Sequence, residues 1–145
     1  VRGWPLAVTE YYTMTDALST TFQQQRDQYI ADIKAKRWCM YVPEWERPVI
    51  SRLIDLVVDG GNVICVHDSE EWVVKRSSDR ALIRSQLGHA ENDTLVIRDN
   101  EGEELGFFYL IYDNGSEDDR MVVICDYSAN EYCENIYRTL ELHYG

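Results

Sequence analysis

The sequence predicts an α+β fold in which helices pack on a mainly antiparallel sheet. Short runs rich in Val, Ile, Phe and Tyr alternate with links full of Asn, Asp and Gly, which is typical of antiparallel strands. Apolar residues recur at helical spacing in separate blocks rather than between every pair of strands. The 145 residues contain no internal repeat and no Pro/Gly/Ser-rich linker, so a single domain over residues 1–145 is expected.

The first part of the chain is predicted to be helical. An imperfect apolar stripe indicates a helix over residues 15–37. Pro48 suits the first turn of a second helix, where Glu46 lies close to the positive end of the helix dipole. Gly60 and Gly61 end that helix. Three parts are therefore expected: an arm at 1–14, a helical and charge-neutral part at 15–60, and an acidic, β-rich part at 61–145.

The β-rich part is predicted to open with a hairpin. The runs 62–67 and 72–76 are short, β-prone and joined by an acidic turn. Further strands are expected at 94–98, 105–112 and 121–127, again with links rich in Asn, Asp and Gly.

Two helices are expected within this part. An N-cap among residues 77–79 opens a short helix that runs to Leu87, and Gly88 closes it. The pattern from Ser128 to Glu131 reads as a capping box that opens the last helix. The predicted order of elements is α-α-β-β-α-β-β-β-α.

The run "LGFFYLIY" at residues 105–112 is apolar at both alternating sets of positions. Leu105, Phe107, Tyr109 and Ile111 belong to one face, and the residues between them belong to the other. Such a strand is central and covered on both sides. Helices of this chain cover both faces, or a partner covers one.

The net charge of −12 lies entirely in the second part of the chain. Residues 1–58 contain seven Lys/Arg and seven Asp/Glu, whereas residues 59–145 contain seven Lys/Arg and nineteen Asp/Glu. Such a field repels phosphate backbones, which argues against direct binding to nucleic acid, and it attracts a basic partner. The alternative is that the charge serves solubility.

No motif for catalysis, a cofactor or a metal stands out. His67 and Asp68 are neighbours on a predicted strand end and point to opposite faces, so they do not form a His–carboxylate couple. An EF-hand loop starting at Asp113 fails at positions 3 and 6, and one starting at Asp99 fails at position 6. The four cysteines form no CxxC pair, which favours buried thiols in a reducing cytoplasm. No apolar run approaches the length of a membrane span.

Acidic residues repeat at the strand connections, with aromatic residues beside them. Aromatic rings next to charges suit an interface, because rings bury well and charges steer association. The links lie at one or two ends of the sheet, depending on the strand order. The predicted partner-binding residues are Glu70, Glu71, Trp72, Asp99, Glu101, Glu103, Glu104, Tyr112, Glu117, Asp118 and Asp119.

These patterns favour a non-enzymatic acidic protein that neutralises or regulates a basic partner, in particular a protein that acts on nucleic acid. Anti-restriction and anti-CRISPR inhibitors and toxin-immunity proteins share this profile. The alternative is a homodimeric structural or accessory module whose acidity serves solubility. A third hypothesis is a metal-dependent enzyme that uses carboxylates such as Asp68 and Asp126.

Overall fold

The computed structural model describes residues 42–145 together with residues 23–25, 27 and 38. The chain divides into two compact units, Val1–Lys36 and Arg37–Gly145. The arm predicted at 1–14 lies outside the described residues, as does most of the helix predicted at 15–37, whose residues 23–25 and 27 are helical. The prediction of one domain over the whole chain stays a prediction.

The described part of the second unit has an α+β fold, as the sequence predicts. Three α-helices and five strands lie within residues 42–145, together with two 3-10 turns. In chain order they are the first 3-10 turn (Glu44–Glu46), α1 (Arg47–Asp59), β1 (Val63–His67), β2 (Trp72–Ser77), α2 (Arg80–Gln86), β3 (Asn92–Arg98), β4 (Glu104–Ile111), the second 3-10 turn (Arg120–Val123), β5 (Ile124–Tyr127) and α3 (Glu131–Tyr144).

The five strands form one sheet in the order β2-β1-β3-β4-β5, and each neighbouring pair is antiparallel. β1 lies between β2 and β3, so the chain passes from β2 to β3 through α2 rather than through a tight turn. The second half is a simple meander from β3 to β5. The two edges of the sheet are therefore β2 and β5.

The core lies between the helices and one face of the sheet. Val66, Leu95 and Phe108 are aligned across three strands and are fully buried. The apolar stripe of α1 (Val49, Ile50, Leu53, Ile54 and Val57) and that of α3 (Cys133, Ile136 and Leu140) belong to the same cluster. Burial of these side chains is the main favourable term for folding.

β4 is apolar on both faces, as the run at 105–112 predicts. Phe108 and Leu110 point into the helix-covered core. Phe107 is aligned with Val96 and Cys65 on the other face, where Val96 and Cys65 are buried and Phe107 is partly buried. Strands flank β4 on both sides, which confirms an interior position in the sheet.

The predicted capping box at the last helix is wrong. Asn130, not Ser128, is the N-cap of α3, and its side-chain oxygen accepts a hydrogen bond from the amide of Cys133 at 2.9 Å. Ser128 Oγ instead accepts from the amide of Phe107 at 2.9 Å. Ser128 therefore fastens the chain before α3 to β4, whereas Asn130 satisfies the free amide of the helix.

The last strand is shorter than the predicted range of 121–127. It begins at Ile124, because the preceding four residues form the second 3-10 turn. Met121 and Val123 are both buried in that turn. A strand would point both of them to the same face, so the sequence pattern alone does not distinguish the two conformations.

Candidate partner surface

The antiparallel register decides which links share an end of the sheet. His67 at the end of β1 is aligned with Thr94 near the start of β3, and Asn92 is aligned with Ile111 at the end of β4. The β1–β2 turn, the α2–β3 link and the β4–β5 link therefore lie at one end. We call this the acidic end and define it by the eight carboxylates of those links: Asp68, Glu70, Glu71, Glu91, Asp113, Glu117, Asp118 and Asp119.

The predicted partner-binding residues divide between the two ends of the sheet. The β3–β4 link lies at the end opposite the acidic end, since Val63 at the start of β1 is aligned with Arg98 at the end of β3. The strands separate the two ends by about 20 Å. The acidic end carries Glu70, Glu71, Trp72, Tyr112, Glu117, Asp118 and Asp119, and the opposite end carries Asp99, Glu101, Glu103 and Glu104.

Arginines accompany the carboxylates at the opposite end. Arg98 donates a hydrogen bond to the carbonyl of Gly102 at 3.0 Å and lies 3.9 Å from the carboxylate of Glu104. The guanidinium of Arg76 is also next to Gly102, where it would touch an added Cβ at 3.0 Å. These cations reduce the net negative charge at the opposite end, so the two ends differ in electrostatic character.

The three links of the acidic end contain a single Lys or Arg, which is Arg120. Its guanidinium lies over the ring of Tyr144, 5.6 Å from the ring centroid. These links place eight carboxylates against this one cation. The field at this end is therefore strongly negative.

The β4–β5 link is folded back on itself rather than extended into solvent. The amide of Asp119 donates to the carbonyl of Ser116 at 2.9 Å, and the side-chain amide of Asn114 donates to the carbonyl of Val122 at 3.1 Å. Gly115 packs so closely that an added Cβ would overlap the carbonyl oxygen of Asp119. Glu117, Asp118 and Asp119 are exposed on this compact link.

The β1–β2 turn exposes two carboxylates beside an aromatic ring. Asp68 Oδ1 accepts from the amides of Glu70 and Glu71 at 3.0 and 2.9 Å, which fixes the backbone of the turn. The side chains of Glu70 and Glu71 are exposed. Trp72 follows with 43% of its surface exposed, and its ring contacts His67 edge-on at a centroid distance of 4.9 Å.

The structure corrects the placement of Tyr112. Tyr112 is only 5% exposed, and its hydroxyl donates a hydrogen bond to Asp93 Oδ2 at 2.6 Å. Its ring therefore supports the acidic end from inside the fold and is not available to a partner in this conformation.

Two buried carboxylates beneath the acidic end were missed in the sequence. Asp93 is 1% exposed, and its Oδ2 accepts from the Tyr112 hydroxyl and from the amide of Gly88 at 2.9 Å. Burial raises the pKa of Asp93 to about 6, although these two hydrogen bonds oppose the shift.

Glu46 is the second buried carboxylate. It is fully buried just before α1, and its Oε1 accepts from the amide of Asp113 at 3.0 Å. Its Oε2 is buried and has no hydrogen-bond partner among the described residues. Burial raises the pKa of Glu46, and the hydrogen bond from the amide of Asp113 opposes that rise. The sequence predicts a residue near the helix dipole, and the structure adds its bond to the β4–β5 link.

The carboxylates suggested for a metal enzyme do not come together. Asp68 follows β1 and Asp126 lies on β5, three strand spacings or about 14 Å apart across the sheet. Within residues 42–145 and the few described residues before them, no group of three or more His, Cys, Asp or Glu side chains is arranged to hold a metal ion.

No protein-family model matches the sequence, and no curated protein or solved structure shows significant similarity to it. No helix in the described part of the chain is long and apolar enough to cross a membrane.

Proposed function

We propose that this protein is a non-enzymatic acidic binding protein that neutralises a basic protein partner through its acidic end. One observation carries the proposal: three links from different parts of the chain place eight carboxylates and a single arginine at the same end of the sheet. Of the residues predicted for partner binding, Glu70, Glu71, Trp72, Glu117, Asp118 and Asp119 are exposed there.

The charge of this surface supports a particular class of partner. Carboxylates gathered at one end of a sheet increase the rate at which a positively charged surface associates, and they repel nucleic acid. A protein that binds nucleic acid has a basic groove for phosphates, and that groove is the natural complement of an acidic surface. Inhibitors of restriction or CRISPR nucleases, and immunity proteins against nuclease toxins, are the proposed functional classes.

Trp72 supplies an apolar anchor for the same surface. Trp72 directly follows Glu70 and Glu71 in the sequence, and its ring is exposed. An arginine of the partner is expected to contact both the ring and a neighbouring carboxylate. Trp residues commonly dominate the energy of protein interfaces. Trp72→Ala is expected to speed dissociation of the complex about tenfold or more, with a smaller effect on association, measured by surface plasmon resonance.

The experiment compares two variants with equal charge. One neutralises the acidic end (Glu117→Gln, Asp118→Asn and Asp119→Asn), and the other neutralises the opposite end (Glu101→Gln, Glu103→Gln and Glu104→Gln). Each changes the net charge from −12 to −9, so overall charge is controlled. Proteins retained from the source cell by each variant at low salt are identified by mass spectrometry, and the partner is then purified for kinetics.

The acidic-end variant is expected to associate at least about tenfold more slowly than the wild-type protein at low salt, whereas the opposite-end variant changes little. The difference shrinks at high salt, because ions screen exposed charges. Equal slowing in both variants would show that only net charge matters and would contradict a specific acidic surface. The proposal would also be overturned if the association rate of the partner changed neither with salt concentration nor in either variant.

A homodimer is the second candidate, and the face of the sheet opposite α1 and α3 favours it. Phe107, Tyr109 and Ile111 on that face are only partly buried. Static light scattering at low and high salt separates the candidates, because an apolar dimer interface does not weaken with salt.

A further inference from the structure

We propose that Glu46 and Asp93 form a proton-dependent clamp on the start of the β4–β5 link, and that the clamp opens more readily at neutral pH than at pH 5. The two carboxylates come from different elements, the turn before α1 and the strand β3. They hold consecutive residues: Asp93 accepts from the Tyr112 hydroxyl, and Glu46 accepts from the Asp113 amide. The first two residues of the link that carries Glu117, Asp118 and Asp119 are therefore each hydrogen-bonded to a buried carboxylate.

The backbone at the clamp also stores strain. Asp113 has a φ of 57°, in the left-handed region that non-glycine residues seldom adopt. The Tyr112 amide is fixed separately, by the carbonyl of Glu91 at 2.9 Å. Because Glu46 Oε2 is buried without a partner among the residues that the structure describes, the charged form of Glu46 gains by exposure to water. Opening of the link would relieve the backbone strain at Asp113 and expose the carboxylate of Glu46 to water.

The groups that face the two carboxylates set the direction of the effect. Asp93 faces Tyr112 at the start of the β4–β5 link, Asp68 of the β1–β2 turn and His89 of the α2–β3 link, and among these only His89 favours its charged form by charge. Glu46 faces Asp113, whose charge opposes its ionisation. Both pKa values are raised in the closed state, mainly by burial. Because opening of the link admits water, we expect both pKa values to fall towards their ordinary range in the open state. Protonation therefore favours the closed link, and deprotonation favours the open one.

The consequence for binding rests on the proposed function, whereas the opening itself does not. A cationic partner favours the charged forms of Glu46 and Asp93, so its binding is expected to release protons near pH 6. If the clamp exists but no basic partner binds, only the proposed function fails. If a partner binds but the link does not respond to pH, only the clamp fails.

Amide hydrogen exchange followed by NMR on the isolated protein tests the clamp. The probes are the amides of Tyr112 and Asp113, with protection factors corrected for the intrinsic pH dependence of exchange. One proton coupled to opening, with a pKa near 6 in the closed state, makes protection about tenfold weaker at pH 7 than at pH 5. Amides at the centre of β3, such as that of Val96, serve as internal references for global unfolding.

Matched variants assign the effect to the two carboxylates. Glu46→Gln and Asp93→Asn are each expected to reduce the pH dependence of protection, and the double variant is expected to abolish it. Glu44→Gln and Glu91→Gln make the same change of charge at exposed positions two residues away and are expected to retain it. Equal protection at pH 5 and pH 7 in the wild-type protein would overturn the clamp. If the double variant does not fold, an unchanged pH dependence in both single variants would overturn it equally.

Discussion

Replacing Gly106 by alanine is expected to lower the free energy of unfolding by about 3 kcal/mol or more. Gly106 has a φ of 150°, a conformation that side chains disfavour, and an added Cβ would overlap the sulfur of Cys133. The Cβ would also lie 3.1 Å from Ser128 Oγ, which already accepts from the amide of Phe107. The neighbours cannot move away without breaking the bonds that fasten the start of α3 to β4. Urea unfolding followed by circular dichroism measures the loss.

Gly61→Ala is the matched control for the effect of conformation alone. Gly61 has a φ of 83°, and nothing lies within 4 Å of an added Cβ. That substitution is expected to cost about 1 kcal/mol. Adding Cys133→Ala to Gly106→Ala removes the overlapping sulfur, so the double variant is expected to recover part of the loss beyond the cost of Cys133→Ala itself. Equal losses in Gly106→Ala and Gly61→Ala would show that the close contact between α3 and β4 does not matter.

Local periodicity and turn residues predict most of the elements in the described part of the chain. Pro48 in the first turn of α1 and Asp79 at the N-cap of α2 occupy the expected positions. Each signal involves residues a few positions apart, so it is readable without the tertiary fold. The Ser128 pattern fails because Ser128 has a competing acceptor role on β4, which only the packed structure reveals.

The candidate surface depends on long-range order that periodicity does not contain. Acidic links are evident in the sequence, but the insertion of β1 between β2 and β3 decides which of them share an end. A plain meander would place the links differently. The sequence therefore supplies the residues Glu70 and Glu117, whereas the strand order brings their links to the same end of the sheet.

One of the two missed carboxylates does leave a signal in the sequence. Asp93, Leu95 and Ile97 are alternate residues of β3 and therefore lie on the same face of the strand. Because Leu95 and Ile97 face the core, the strand pattern places Asp93 inward. A charged residue at an inward position of a strand requires a buried partner, and here that partner is Tyr112. Glu46 leaves no comparable signal, because the residue that it bonds, Asp113, lies 67 positions along the chain.

The buried position of Asp93 predicts an unusual pH dependence of stability. The pKa of Asp93 is raised from 3.8 to about 6 by burial, so the folded state binds a proton more readily than the unfolded state between those values. Stability from this proton is fully present below about pH 3.8 and is lost as the pH rises through about 6. Asp93→Asn carries no charge at any pH. Relative to the wild-type protein, its free energy of unfolding is therefore expected to rise by about 2 kcal/mol between pH 4 and pH 7.

Comparison with Asp93→Asn isolates this carboxyl, because the other titrating groups are common to both proteins. Urea unfolding from pH 4 to pH 7 gives the difference in free energy at each pH. Glu91→Gln removes an exposed carboxylate two residues away and is expected to leave the pH dependence unchanged. Tyr112→Phe removes the hydroxyl that stabilises the charged form of Asp93, so its stability is expected to fall further over the same range. A pH-independent difference between wild type and Asp93→Asn would mean that Asp93 stays charged in the fold, with hydrogen bonds that fully offset its burial.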